Sequence, residues 1–276
     1  MNDYPLGYSD AEGKRLTDQG AMLKDLTEDL LLRAGLSPGM RVLDLGCGVG
    51  DVSLLAAQIV GESGSVLAVD RAVSSLENAR RRAKQCGAAK VTFVEADLTT
   101  FEPGETFNAM IGRFVLLYLA EPAGVLRRLL PNLRSGGVVA FHEYDISTFG
   151  QTTHSPFFTE LQRWVFEGFR AGGAELDMGS RLYSTFLRAG LPCPELTAAQ
   201  LAFCGPHAPA YEYATRVVRS LLPTIERHGI ATAADVQIDT LADRFRADAV
   251  SREAIVFVPR LVGAWARTPN PVSPVA

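Results

Sequence analysis

The stretch of this chain whose residue types most clearly predict chemistry is Arg41 to Asp51, RVLDLGCGVGD. It begins with apolar residues typical of a buried strand and continues with Gly46, Gly48 and Gly50. Glycine lets a turn adopt backbone angles that other residues resist, and it lets a ligand approach the main chain without meeting a Cβ atom. From Val52 to Val60, apolar side chains recur at helical spacing. The sequence therefore predicts a strand, a loop and a helix that bind a small ligand at the end of a parallel sheet.

The glycine spacing and the positions of later acidic residues narrow the choice of ligand. A dinucleotide fingerprint would place its third small residue at Asp51, so the spacing counts against NAD. Asp70 closes the next predicted strand, where a carboxylate can accept hydrogen bonds from both hydroxyls of a ribose. A third strand, Val91 to Val94, brings Asp97 to the same edge. An acid there can accept a hydrogen bond from an adenine amino group.

These motifs together resemble the successive motifs of class I S-adenosylmethionine-dependent methyltransferases. The matching segments are VLDLGCGVG, VLAVD, EAD and LRSGGVVAF, in order between Gly35 and Tyr144. The opening segment YPLGYSDAEGKRLTDQGAML resembles the lead-in of small-molecule methyltransferases from bacterial secondary metabolism. One departure is Phe107-Asn108, where many relatives carry Phe-Asp. Asparagine brings no charge, so no catalytic role is assigned to that position.

The resemblance implies an α/β fold with a Rossmann-like, seven-stranded, mostly parallel sheet and helices on both faces. It implies S-adenosyl-L-methionine as the cofactor and S-adenosyl-L-homocysteine as the product. We expect residues 1–34 to form an N-terminal helical lid and residues 35–150 the cofactor-binding core. Residues 151–267 should supply a C-terminal helical insertion that caps the substrate, together with the last two strands, and residues 268–276 a disordered tail.

The predicted cofactor-binding residues combine these motifs with the resemblance. They are Asp44, Gly46, Cys47, Gly48 and Gly50 in the first loop, Asp70 and Arg71, Ala96, Asp97 and Leu98, Arg113 and Phe114, and Tyr8 and Gln19 in the lid. The roles of Arg113, Tyr8 and Gln19 are implied by the resemblance alone.

Methyl transfer from a sulfonium is an in-line displacement, in which the protein mainly aligns the nucleophile and excludes water. A base is needed only where the nucleophile must lose a proton, and histidine is the usual base near neutral pH. His142, beside Glu143 at the predicted sheet edge, is the best placed candidate. Adjacent strand residues point to opposite faces, so a histidine satisfied by backbone groups is at least as well supported. Five further residues are suggested as substrate-binding residues by their positions alone: Tyr4, Tyr144, His154, His207 and Tyr211.

Composition limits the partners. The formal net charge is −4 and the pI is near 5.7, so there is no excess of basic residues to neutralise phosphates of a nucleic acid. No apolar run approaches the length of a membrane span and the N-terminus is polar, which predicts a cytoplasmic protein without a membrane partner. The four cysteines are too scattered for a metal site. A homodimer is one alternative for the oligomeric state.

The C-terminal half is predicted from apolar periodicity. We expect a helix around Phe157 to Phe169, a sixth strand at Gln200 to Phe203 and a seventh from Glu253 to Leu261 or beyond. Helices at His207 to Arg227 and Asp239 to Asp248 should lie between these strands as the insertion.

The sequence predicts methyl transfer to a small organic molecule, an aromatic or nitrogen-heterocyclic natural product, on carbon, nitrogen or oxygen. Two other functions stay open. One is use of the cofactor without methyl transfer, as in a cyclase or a decarboxylase. The other is a nonenzymatic module that senses the cofactor.

Overall fold

The computed structural model describes residues 5–7 and 10–269, the side chains of residues 10 and 11 excepted. The helices are α1 Asp10–Met22, α2 Lys24–Arg33, α3 Asp51–Val60, α4 Val73–Gln85, α5 Pro122–Leu129, α6 Pro156–Ala171, α7 Met178–Ala189, α8 Ala210–Arg227, α9 Ala233–Val236 and α10 Leu241–Ser251. The strands are β1 Arg41–Leu45, β2 Ser65–Asp70, β3 Val91–Glu95, β4 Phe107–Arg113, β5 Leu133–Asp145, β6 Gly150–Gln151, β7 Glu195–Ala199, β8 Ala202–Phe203, β9 Val256–Phe257 and β10 Arg260–Arg267.

Seven strands form the main sheet in the order β3-β2-β1-β4-β5-β10-β7. Strands β1 to β5 pair in parallel, whereas β10 is antiparallel to both of its neighbours, β5 and β7. A small second sheet has the order β6-β9-β8. The predicted Rossmann-like, mostly parallel, seven-stranded sheet is confirmed.

Apolar side chains fill both faces of this sheet. In β1, Val42 packs in a core cluster with residues of α2, α3 and α4, whereas Leu43 and Leu45 pack in a second cluster with residues of α5 and α7. This alternation is the period of two that a strand imposes on its side chains. Helices therefore cover both faces, and the carboxyl ends of the parallel strands stay accessible from one edge.

The N-terminal segment that was predicted to form a lid contains two helices in series, α1 and α2. Helix α1 packs against α8 of the C-terminal insertion and against α3. Hydrogen bonds join α1 to α8: Gln19 Nε2 donates to the Tyr213 hydroxyl at 2.8 Å, Ser220 Oγ donates to Glu12 Oε2 at 2.7 Å, and Arg216 forms an ion pair with Asp18. Helix α1 is thus held by α8 as well as by α3.

The predicted sixth strand was misplaced, and the predicted seventh strand began too early. The sheet uses Glu195–Ala199 as β7, and of the predicted Gln200 to Phe203 only β8 is a strand, in the small sheet. The predicted seventh strand covers β9 and only the first residues of β10, because Pro259 separates them. Several apolar segments here have strand propensity, and pairing with distant strands decides between them.

Two further features differ from the prediction. Helix α7, which ends at Gly190 in a left-handed conformation, was not predicted, although Leu182, Phe186 and Ala189 lie at helical spacing. Thr268, expected in a disordered tail, donates its N–H to Gly137 O at 2.8 Å. Residues 270–276 lie outside the described part of the chain.

Candidate active site

A cavity of about 620 Å³ opens at the carboxyl ends of β1 to β5. Its walls come from the loops after these strands, from α1, α6 and α8, and from Leu6 and Gly7. The volume lies within the range of about 300–1,000 Å³ that is usual for small-molecule pockets. Ligands of open α/β sheets bind at this edge, so the cavity stands where the sequence places the cofactor.

The glycine loop forms the floor of the cavity at β1. Gly46, Gly48 and Gly50 have φ angles of 64°, 51° and 87°, which favour glycine. Gly46 and Gly48 line the cavity, and a Cβ atom on Gly46 would collide with Val115. Gly50 does not line it, and a Cβ atom on Gly50 would lie 3.2 Å from that of Ala79 in α4. In this structure Gly50 therefore packs closely against α4 and is not a wall of the cavity.

Asp70, at the end of β2, is held in place by the main chain. Its Oδ2 accepts the N–H of Gly48 at 2.8 Å and its Oδ1 accepts that of Ala72 at 2.9 Å. Burial raises the pKa of this carboxyl, and the two N–H groups act in the opposite direction. Each carboxylate oxygen keeps a further lone pair. Asp70 and the next residue, Arg71, both line the cavity, where such an acceptor suits the hydroxyls of a ribose.

The loop after β3 forms the adjoining wall with Ala96, Asp97 and Leu98. Asp97 Oδ1 accepts the N–H of Thr99 at 2.8 Å and its hydroxyl at 2.7 Å, and these bonds lower the pKa of Asp97. From α5, Arg128 donates to the carbonyl oxygens of Leu98 and Phe101. Sequence reasoning missed Arg128, because nothing in its local pattern shows that its side chain reaches this loop.

Arg113 ends β4, Phe114 follows it, and both residues line the cavity. Arg113 Nη1 donates to Thr27 Oγ1 of α2 at 2.9 Å, and burial lowers the pKa of the guanidinium. Asp44 and Asp51 act on it electrostatically, but among the described residues no carboxylate forms an ion pair with it. Phe114 has a φ of 56°, an uncommon value outside glycine. A buried cation without a paired anion is costly, so an anionic group of a ligand would stabilise it.

A cluster of polar side chains from α1, β5 and α8 closes one side of the cavity. Gln19, Tyr144 and Tyr213 all line it, and Gln19 donates to the Tyr213 hydroxyl. The Tyr144 side chain is 6% exposed, and its hydroxyl has no hydrogen-bond partner in the described chain, although Tyr213 and Gln19 are near enough to affect its pKa. Burial raises the pKa of both tyrosines, so both stay neutral near pH 7. Tyr213 was missed, although it shares a face of α8 with Val217, which also lines the cavity.

His142 does not reach the cavity. Its side chain is 3% exposed and lies beside Gly263 of the neighbouring strand, and its Nδ1 has no hydrogen-bond partner among the described residues. Burial and the nearby Arg113 guanidinium lower the pKa of His142 to about 3. An imidazole that stays neutral and does not touch the cavity cannot take a proton from a bound substrate, so the structure does not support the predicted base.

Glu143 points to the opposite face, as the strand alternation requires, and does not line the cavity either. Its Oε1 accepts the N–H groups of Val115 at 3.0 Å and of Leu116 at 2.7 Å. Burial raises the pKa of Glu143 to about 8. Glu143 therefore holds the backbone of the segment after β4 in position and is not placed to act as a catalytic group.

Other predicted site residues lie away from the cavity. His154 and His207 are exposed and are not among its lining residues. The Tyr211 ring packs against Phe245 with centroids 5.1 Å apart, and its hydroxyl donates to Gly205 O at 3.0 Å. Asp44 is buried behind the glycine loop, where it accepts a 2.5 Å hydrogen bond from Ser53 and burial raises its pKa to about 7.

The remaining predicted residues divide as follows. Cys47 lines the cavity, and burial raises the pKa of its thiol, so it is a packing residue. Tyr4 and Tyr8 lie outside the described residues.

Within the described ranges, no group of three or more His, Cys, Asp or Glu side chains could hold a metal ion. No helix there is long and apolar enough to cross a membrane.

Comparison with known proteins agrees with this geometry. A family model described as a methyltransferase domain matches residues 36–184, more than half of the chain. The aklanonic acid methyltransferase DauC of Streptomyces sp. strain C5 is 32% identical over 126 residues, which cover 45% of this chain and 54% of that protein. The chain thus spans about half the length of the curated relatives it matches.

Solved structures with low sequence identity share the fold. A methyltransferase of Bacillus halodurans, itself assigned provisionally, aligns with a TM-score of 0.60 at 17% identity, covering 88% of this chain and 99% of that one. The 4+2 cyclase SpnF aligns with a TM-score of 0.52 at 18% identity, covering 90% of this chain and 82% of that one. With the match of the family model and the motifs of the glycine loop, these findings show that the chain belongs to the class I S-adenosylmethionine-dependent methyltransferase family.

Proposed function

We propose that this protein binds S-adenosylmethionine in the cavity and transfers its methyl group to a small molecule with an apolar, aromatic body. The observation that carries the proposal is the continuity of the cavity. One volume joins the glycine loop and the acids after β2 and β3 to apolar walls from β5, α6 and α8. A methyl donor and its acceptor must share such a space, since the reacting atoms have to approach within about 3–3.5 Å of each other.

The residues present fit the cofactor. Asp70 would accept from the ribose hydroxyls, the loop of Ala96 to Leu98 would contact the adenine, and Arg113 would bind the methionyl carboxylate. Gly46 and Gly48 leave room for the ligand against the main chain. The bound cofactor supplies an electrophilic methyl group on a sulfonium, and the protein supplies orientation.

The lid supports this function by excluding water. Arg15, Leu16 and Gln19 of α1 line the cavity, so α1 lies over it. Helix α1 is fixed to α8 by the bond from Gln19 to Tyr213. Removal of bulk water strengthens the electrostatic interactions inside a site and prevents side reactions.

Substitution of Asp70 tests the cofactor site. Asp70→Asn is expected to weaken binding of S-adenosylhomocysteine by roughly 1–3 kcal/mol, because charged hydrogen bonds to the ribose are lost. Glu95→Gln is the matched control, since Glu95 is the register partner of Asp70 on β3, is exposed and does not line the cavity. Isothermal titration calorimetry measures both variants. Equal affinity in Asp70→Asn and Glu95→Gln would refute the assignment.

Product analysis separates methyl transfer from the alternatives. SpnF, which is named as a cyclase, shares this fold, so the fold by itself does not establish the reaction. Incubation with S-adenosylmethionine and a panel of aromatic acceptors should yield S-adenosylhomocysteine and a product heavier by one methylene unit. Conversion of an acceptor without S-adenosylhomocysteine would favour cofactor use without methyl transfer.

A further inference from the structure

We propose that the acceptor is an uncharged heteroaromatic molecule, methylated on a ring nitrogen or an electron-rich ring carbon without a base from the protein, and oriented by the hydroxyl of Tyr144. This inference rests on the proposed function and specifies the acceptor half of the same cavity.

The part of the cavity formed by the glycine loop and by the loops after β2, β3 and β4 is called its cofactor end, and the remainder its acceptor half. The charged side chains of the cavity are concentrated at the cofactor end. Asp70, Asp97 and Arg113 follow β2, β3 and β4, where the cofactor would use them. Asp51 forms an ion pair with Arg82 at 2.6 Å. On the lid, Arg15 forms an ion pair with Glu12 at 2.7 Å, and both side chains are nearly inaccessible to solvent.

The walls beyond the cofactor end are apolar. Ile146 and Phe149 follow β5, Val165 and Phe169 come from α6, and Val217 comes from α8. A carboxylate or an ammonium group bound among these side chains would lose its hydration without gaining an opposite charge, which is strongly unfavourable. The acceptor half therefore favours a molecule without a formal charge, and apolar walls that include Phe149 and Phe169 suit an aromatic ring.

Among the residues that the structure describes, the acceptor half also contains no proton acceptor suited to neutral pH. Among the described residues, no histidine lines the cavity, and its aspartates all lie at the cofactor end or in an ion pair. His142, which the sequence predicted as the base, is enclosed between the sheet and α2. An uncharged phenol keeps its proton at neutral pH, since its ordinary pKa is about 10. A hydroxyl acceptor would thus lack the activation that it needs.

Pyridine-type ring nitrogens, which carry a free lone pair in the ring plane, and electron-rich ring carbons need no such activation. The ring atom donates an electron pair to the methyl carbon while the carbon–sulfur bond breaks and its electron pair stays on sulfur. The positive charge passes from sulfur to the ring, and an acceptor that carries hydrogen at the reacting atom releases that proton to water after transfer. No proton has to leave before the new bond forms.

Tyr144 supplies the directional contact. Its ring stacks on Phe114 with centroids 4.3 Å apart, which fixes the direction of the hydroxyl. Tyr144 is a lining residue of the cavity, and its hydroxyl is buried and has no hydrogen-bond partner in the described chain. Tyr213 beside it already accepts a hydrogen bond from Gln19. Since an unmade buried hydrogen bond is unfavourable, a polar ring atom or ring substituent of the acceptor would bind at Tyr144.

Binding to protein saturated with S-adenosylhomocysteine tests the acceptor class without relying on turnover. Calorimetry would compare quinoline and indole with quinoline and indole carboxylates, and with naphthol as the phenol. We expect the uncharged heterocycles to bind at least tenfold more tightly than their carboxylates. Mass spectrometry with S-adenosylmethionine should then locate the new methyl group on the ring and not on the oxygen of naphthol.

Tyr144→Phe tests the contact, with Tyr211→Phe as the control. Tyr211 is also a buried tyrosine, but it does not line the cavity. We expect Tyr144→Phe to weaken heterocycle binding about tenfold with unchanged affinity for S-adenosylhomocysteine, and Tyr211→Phe to change neither affinity. Tighter binding of the carboxylates, methylation of a hydroxyl, or unchanged heterocycle affinity in Tyr144→Phe would overturn the inference and leave the proposed function intact. Failure of the wild-type protein to bind S-adenosylhomocysteine would instead overturn the proposed function.

Discussion

Replacement of Glu143 by leucine is expected to destabilise the cavity wall after β4. Glu143 is fully buried (0% exposed), and its Oε1 accepts the N–H groups of Val115 at 3.0 Å and Leu116 at 2.7 Å. Leucine would leave both donors buried without an acceptor, which costs about 1–3 kcal/mol for each donor. The unfolding free energy should therefore fall by roughly 2–6 kcal/mol.

Glu143→Gln is the matched variant, since an amide keeps an oxygen that accepts hydrogen bonds. Burial raises the pKa of Glu143 to about 8, above its ordinary value of 4.5. Between these values the folded protein retains a proton that the unfolded chain has lost. The unfolding free energy of the wild type, relative to Glu143→Gln, should thus fall as pH rises across this window, by up to about 1.4 kcal/mol per pH unit.

Urea denaturation at a series of pH values between 5 and 8, on the order of one pH unit apart, measures both effects. Calorimetry with S-adenosylhomocysteine reports whether the wall still forms the cavity. Equal stability of the leucine and glutamine variants would refute the argument that Glu143 holds the backbone of this segment. A difference between wild type and Glu143→Gln that does not change with pH would refute the raised pKa.

Three further perturbations test other parts of the site. In Gly20→Ala the new methyl group would collide with the Asp51 carboxylate. The free energy of unfolding, measured by urea denaturation, should therefore fall by about 1–3 kcal/mol. An unchanged value would exclude the close contact of α1 with α3. Arg128→Met should weaken S-adenosylhomocysteine binding in calorimetry by about 1–3 kcal/mol through the loop after β3, whereas Arg127→Met, whose side chain donates to α7, should not. The imidazole NMR signal of His142 should show no titration between its lowered pKa of about 3 and neutral pH, and a midpoint near 6.5 would contradict its burial in neutral form.

The cofactor edge could be predicted from the sequence because its signals are local. The glycine loop, Asp70 and the loop from Ala96 to Leu98 each lie at or directly after a strand with an apolar run. Parallel strands bring their carboxyl ends to one edge, so a correct order of strands is enough to bring these residues together. Family membership and the main sheet were confirmed for this reason.

Side-chain direction and long-range pairing depend on the tertiary structure. His142 and Glu143 occupy the predicted edge, yet the packing of β5 against its neighbours turns both side chains away from the cavity. Tyr213 and Arg128 reach the site from α8 and α5, far along the chain from the loops they contact. The sequence by itself determined the cofactor edge, where geometry follows from short loops. Only the folded chain decided the apolar walls of the cavity beyond this edge, because these walls come from segments brought together by packing alone.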